Sequence, residues 1–240
     1  MVSSNEESFT RQMRAATKES HDISDALVNA KMVLALNDNR VWADGLLIFY
    51  EVFAYLERNV PPEILPEDYH RKEAFEKDLA HFLGPDWTND YSPRKAVQDY
   101  IDHLEELKKE NPELLIAYVY HLYMGLLSGA QILQKKRSIA QRLNPLSSKN
   151  NNTIGAEATH FENHTASDLK KRMRELLNER AKGYSEETKK RVIEESLKVF
   201  ELNNKIISTV RGVNQVAFKK VMIAGLFCLL SFLVYKMFFM

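Results

Sequence analysis

Few residues in this chain have the capacity for chemistry. There are seven histidines and one cysteine, Cys228. His21 follows Met13 and Thr17 at four-residue steps, so on a helix it borders the apolar face. A lone imidazole there is either a satisfied core residue or a metal ligand. Asp25, one turn on, could accept from the other ring nitrogen and fix its tautomer. Two ExxH spacings, Glu67…His70 and Glu157…His160, have the form that builds carboxylate-bridged di-iron centres. The first follows a proline-rich stop and the second borders an asparagine-rich loop, so neither reads as a core-helix site. His160 and His164, four apart in that polar stretch, read as solvent-exposed. A single cysteine rules out a disulfide framework or a CxxC zinc site and suits a reducing compartment.

A second anomaly is Tyr123–Gln131, YMGLLSGAQ, inside a long apolar run. Gly125 and Gly129 are two of only eight glycines, and each costs a helix roughly 1 kcal/mol relative to alanine. Glycine on a buried face permits close approach, because no Cβ holds a neighbour away. The neighbour is either another helix, as in small-xxx-small packing, or a flat ligand lying on the backbone. Ser128 and Gly129 could kink the helix there.

The elements that position these residues all read as helices, and no segment sustains a strand alternation. Phe9, Met13, Ala16, Ser20, Ile23 and Leu27 form the stripe of a first helix. Asp38 or Asn39 can cap a second, from about residue 41 to Asn59, stopped by Pro61-Pro62. A third starts after Pro66 and ends at Gly84-Pro85. Ser92-Pro93 reads as a cap and first-turn proline for a fourth; Asn111-Pro112 does the same for the longest, through about Arg142. Residues 145–165 are rich in Ser, Asn, Thr and Gly and read as a flexible loop. Ser167 can cap a further helix stopping near Gly183, and Ser185 another running to about Val210.

Composition agrees with a globular chain: 45% hydrophobic, 28% charged and formally neutral, so nothing points to nucleic acid. The C-terminus differs. Residues 221–235, VMIAGLFCLLSFLVY, carry no charge, and only Lys236 is charged from there to Met240. Twenty such residues span a bilayer core of about 30 Å, and Lys219 and Lys220 precede the run. The expectation is a soluble all-helical domain over 1–212 and a membrane anchor over 213–240.

Four stretches, in order and spacing, carry a resemblance: AATKESHD (Ala15–Asp22), PEDYHRKEAFEKDLAHFLGPDW (Pro66–Trp87) followed by YSP, PELLIAY continuing into YMGLLSGAQIL, and RVIEESLKVFELN (Arg191–Asn203). Over roughly Phe9–Val210 the chain resembles the eukaryotic haem oxygenases. The resemblance implies an all-α, single multi-helix fold with a C-terminal transmembrane helix. Haem would be both substrate and cofactor, lying between a proximal helix and a kinked distal helix. It implies that His21 is the proximal iron ligand, oriented by Asp25, and that Gly125 and Gly129 let the distal backbone approach the open axial side. Arg14, Lys18, Lys170 and Arg174 match positions that contact the haem propionates, and Tyr120 matches a tyrosine on that side. Phe200 and Asn203 match pocket residues.

The distal window departs from the family pattern, which is close to Gly-Asp-Leu-Ser-Gly-Gly-Gln. Here it reads Gly125-Leu126-Leu127-Ser128-Gly129-Ala130-Gln131. Leu126 replaces an aspartate that anchors the water supplying protons, and Leu122 stands where an arginine is usual. Some insect members also lack the aspartate. The resemblance implies cleavage of haem to biliverdin, carbon monoxide and ferrous iron with O2, slowed or loosened in regiospecificity by Leu126. Electrons would come from NADPH through the microsomal NADPH–cytochrome reductase, with biliverdin reductase acting on the product. The anchor would hold the domain on the cytosolic face of the endoplasmic reticulum through residues 221–240. The rival is a membrane-anchored haem sensor or buffer that kept the His21 pocket without turnover; a third reading is a helical scaffold without haem.

Overall fold

A computed structural model describes residues 7–32, 36–142 and 155–239. Within them the elements are α1 (Phe9–Ala16), α2 (Lys18–Met32), α3 (Asn39–Asn59), α4 (Lys72–Leu83), α5 (Lys95–Glu110), α6 (Ile116–Gly125), α7 (Gln131–Arg142), α8 (Ala166–Ala181), α9 (Glu186–Ser208) and α10 (Val213–Phe239), with short 3₁₀ turns at Glu67–Tyr69, Pro112–Leu115 and Glu157–Thr159. No strand occurs among the described residues. The 145–154 part of the 145–165 stretch lies outside them.

Helix α9 is the hub. Val192, Ser196, Val199, Leu202 and Ile206 are buried along it, a three-and-four spacing that makes one continuous apolar stripe. On that stripe pack α1, α2, α3, α5 and α6. Polar ties fix the register. Ser24 Oγ donates to Asn204 Oδ1 at 2.7 Å, and Lys31 Nζ donates to the Ser208 carbonyl, locking α2 along α9. Ile116 to Tyr120 are buried without a break, because α6 is enclosed by α8 and α9.

Several boundaries differ from the sequence expectation. The first helix is two, because Thr17 leaves helical geometry (φ −100°, ψ 7°) and its Oγ1 donates back to the Met13 carbonyl at 2.9 Å. Chain after Pro66 makes a 3₁₀ turn first, and α4 starts only at Lys72. Ser92-Pro93 do not cap α5: Arg94 is the N-cap, drawn into extended geometry by bonds to Asp44 and the Thr209 carbonyl. The cap of α8 is Thr165, accepting from Asp168 N, not Ser167. The expected caps Asp38, Asn111 and Ser185 each accept the backbone N–H that the motif requires.

The 31 residues from Pro112 to Arg142 are long and apolar enough to cross a membrane, yet much of the stretch is buried inside the fold and serves as a core helix. At the other end, Asp44 accepts from Arg211 N at 2.6 Å, and Val213 is buried at the start of α10. Beyond that point α10 presents exposed Phe218, Val221, Met222, Ile223, Leu226 and Phe232.

Candidate functional site

The stretch from Pro112 to Arg142 is not a uniform α-helix. Between α6 and α7, Leu126–Ala130 form a π-helical turn, which widens the backbone over the segment containing Ser128 and Gly129. Gly125 (φ −63°, ψ −45°) has ordinary helical geometry, so its backbone does not need glycine. What glycine supplies is room. A Cβ built on Gly125 or on Gly129 meets no atom within 4 Å, and both residues are exposed. No neighbouring helix uses the space, so small-xxx-small packing does not explain them. The backbone at both glycines is therefore open to approach.

His21 projects from α2 with 56% of its side chain exposed, too open for a satisfied core imidazole. Its Nδ1 lies 3.5 Å from Asp25 Oδ2 and 3.8 Å from Asp22 Oδ1, which leaves Nε2 for a ligand. The Phe200 ring of α9 stands 5.9 Å away, edge-on. Asn203, one turn beyond, accepts from Tyr100 OH at 3.1 Å.

Cations gather at one end. Tyr120 OH donates to the Thr10 carbonyl at 3.1 Å; burial pushes its phenol up, while Arg14 and Arg174 are near enough to pull it back. Arg14, Lys18 and Arg174 are exposed, as suits side chains awaiting an anionic group. Lys170 reaches the distal segment instead, its Nζ 3.4 Å from Ser128 Oγ.

Leu126 and Leu122 are both buried, at 7% and 5% exposure, and belong to the apolar core. Among the sequence-derived residues, His21 meets Asp25 and Phe200, Tyr120 lies near Arg14 and Arg174, and Lys170 reaches Ser128, while Leu126 lies in the core and the two glycines are exposed. The reading missed His121. It lies beside Tyr120 (ring centroids 4.8 Å) and Phe200 (5.0 Å), and its Nε2 is shielded from solvent without a partner. Burial, reinforced by His21 nearby, holds this imidazole down at about 3, so it is neutral. The available signal was a single histidine in an otherwise apolar and aromatic run.

The two ExxH pairs meet, since Glu67, His70, Glu157 and His160 line one cleft, but they do not form a metal site. His70 Nε2 lies 3.3 Å from the Leu65 carbonyl, and His164 Nε2 3.4 Å from Asp68 Oδ2. Among the described residues no group of three or more His, Cys, Asp or Glu is placed to hold a metal ion.

The residues present fit a haem: one open imidazole, glycine backbone facing free space, cations to one side, and a shielded nitrogen wanting a partner. Comparison with known proteins agrees. Residues 7–209 match the family model described as Heme oxygenase. The chain is 31% identical over 224 residues to heme oxygenase 2 of Rattus norvegicus, covering 89% of this chain and 69% of the rat protein. It is 32% identical over 209 residues to heme oxygenase 1 of Homo sapiens, covering 81% and 69%. Among solved structures, heme oxygenase 2 of Chlamydomonas reinhardtii superposes with a TM-score of 0.75 at 26% identity, covering 85% of this chain and 98% of that one. The Leptospira interrogans heme oxygenase gives 0.71 at 29% identity, covering 84% and 99%. With more than four-fifths of its length matched by the family model, this chain belongs to the haem oxygenase family.

Proposed function

We propose that the chain is a membrane-anchored haem oxygenase, opening haem to biliverdin, carbon monoxide and ferrous iron with O2 and NADPH-derived electrons. The carrying observation is the exposed His21 imidazole, backed by Asp25, in a fold that leaves free space beside Gly125 and Gly129. Bound haem supplies the iron at which oxygen is activated. The chain does the rest. His21 Nε2 would hold the iron, and Asp25, 3.5 Å from Nδ1, would keep the imidazole in the tautomer that leaves Nε2 free. Gly125 and Gly129 admit the porphyrin close to the distal backbone. Arg14, Lys18 and Arg174 neutralise the propionates, and Lys170 joins them by leaving Ser128 Oγ. Phe200 and Asn203 wall the pocket. Leu126 and Leu122 keep the interior beside it dry, so proton supply falls to Ser128 and to water on the π-turn carbonyls.

The exposed apolar side chains of α10, best covered by lipid, support a membrane location. We assign residues 1–212 to the haem-binding domain and 213–240 to a single-pass anchor in the endoplasmic reticulum, with the domain on the cytosolic face. Sharing that membrane with the NADPH–cytochrome reductase raises their effective concentration without a tight interface. Biliverdin reductase would take the product.

A second reading, a haem sensor or buffer, is favoured by one feature: the two core leucines where the family carries an acid and a base. One experiment separates the readings. The full chain in detergent is mixed with haemin, the reductase and NADPH, the Soret band is followed, and the pigment is chromatographed. Biliverdin establishes the oxygenase. A persistent Soret band without biliverdin establishes the sensor, and no Soret band refutes both.

A further inference from the structure

His121 lies four residues before Gly125, so its side chain leaves the distal helix on the face that carries that glycine. Tyr120, Phe200 and, through Phe200, His21 are its aromatic surroundings. All three belong to the haem site assigned above. Its Nε2 is shut off from water and meets neither donor nor acceptor. A nitrogen left so is destabilising, and most buried polar atoms find a partner. Here no described side chain supplies one.

Haem offers two kinds of polar atom, its iron and its propionate carboxylates. On the haem reading His21 would hold the iron, and Gly125 and Gly129 would lie at the open side of the site. The carboxylates remain. Tyr120 feels both Arg14 and Arg174, so the cationic end of the site reaches the residue next to His121. A neutral imidazole can carry its proton on Nε2, and a carboxylate partner would fix that tautomer.

We propose that His121 is a positioning residue that donates a hydrogen bond from Nε2 to a haem propionate, and so selects which porphyrin edge is seated and which meso carbon lies beneath the distal helix. The inference rests on the haem reading and deepens it. A buried contact of this kind discriminates between ligands that differ only in the group it binds.

The test uses the full chain in detergent, titrated with ferric haem and with ferric haem dimethyl ester, followed by Soret absorbance. His121→Phe keeps the ring packing and removes the N–H, His121→Leu removes both, and His121→Gln returns an N–H near the Nε2 position. Relative to the natural chain, the Phe and Leu variants should bind haem roughly 10- to 100-fold more weakly, as expected for losing one charge-assisted bond. Their affinity for the ester should be unchanged, and the Gln variant should recover most of the haem affinity. Equal changes for haem and ester in both the Phe and Leu variants, or no change in either, would overturn the assignment. So would a two-imidazole low-spin ferric spectrum that disappears in His121→Phe, since that places the nitrogen on iron. A natural chain that binds neither ligand sinks the haem reading and this inference together, whereas haem binding without discrimination sinks this inference alone.

Discussion

Gly125→Ala separates the two uses a helix glycine can have. The residue sits at φ −63° and ψ −45°, where alanine is at ease, and an added Cβ meets nothing within 4 Å. With no clash and no strain, only propensity remains, and alanine gains about 0.8–1 kcal/mol over glycine in a helix interior. For a domain of this size that raises the melting temperature by roughly 2–4 °C. Haem should feel the reverse. The methyl occupies the space through which the porphyrin approaches the distal backbone, and overpacking of this kind costs about 1–3 kcal/mol. Affinity then falls roughly 5- to 140-fold. Thermal melting followed by circular dichroism, together with Soret titration of the same preparations, reads both numbers. The signature is a more stable protein that binds its ligand worse. A variant that melts lower would mean that a packed neighbour needs the glycine; one that melts higher but binds haem unchanged would show that the porphyrin lies elsewhere.

Other residues give independent checks. Glu113 accepts from Arg180 and Tyr184, and the bond from Arg180 draws its carboxyl below the usual 4.5. That stabilisation is present above about 4.5 and is lost as pH falls through the lower folded value, so Glu113→Gln should cost about 1 kcal/mol in urea at pH 7, little because solvent screens the pair, and progressively less as the pH is lowered below about 4.5; a cost that does not fall with pH would refute the ionic account. Arg137 is buried, donates to the Leu36 carbonyl and Asn39 Oδ1, and lies 4.6 Å from the Trp42 ring centroid. Arg137→Met strands both acceptors and should destabilise by about 2–4 kcal/mol, whereas a loss below about 1 would mean that water replaces the guanidinium. Leu126→Asp should destabilise the protein by at least about 3 kcal/mol, through a lost leucine and an unpaired carboxylate, and adding Leu122→Arg should return part of it; additive losses in denaturation would show that the two positions do not pair.

Local signals carried most of the fold into the sequence. Asp38, Asn111 and Ser185 announce helix starts because one side-chain oxygen and one nearby N–H suffice, and Pro61-Pro62 and Gly84-Pro85 announce ends for equally local reasons. Where tertiary partners decide, the sequence misleads. Arg94 is held extended by Asp44 and Thr209, residues far from it in the chain, so the tempting Ser92-Pro93 start fails. Thr165 and Ser167 are both competent caps, and Asp168 at the right spacing favours the former. The π-turn is hidden because Leu-Leu-Ser-Gly-Ala is acceptable α-helix, and only the glycines betray it. The site was legible where residue type is decisive, as at His21 and the glycines. His121 was not, since its meaning lies in a missing partner, which only three-dimensional packing can show.

Residues 122 and 126 stand one turn apart, and both are leucines buried in the apolar core. A carboxylate or a guanidinium alone in such a place would be an uncompensated buried charge, destabilising by several kcal/mol. Two leucines instead leave a packed core that carries no charge. The polar groups that remain near the cleft are Ser128 with Lys170, Asn203 with Tyr100, and His121. On the haem reading, choice of the meso carbon then shifts from a distal acid that directs oxygen to the contacts that seat the porphyrin, and the cationic end and His121 become the groups on which regiospecificity depends.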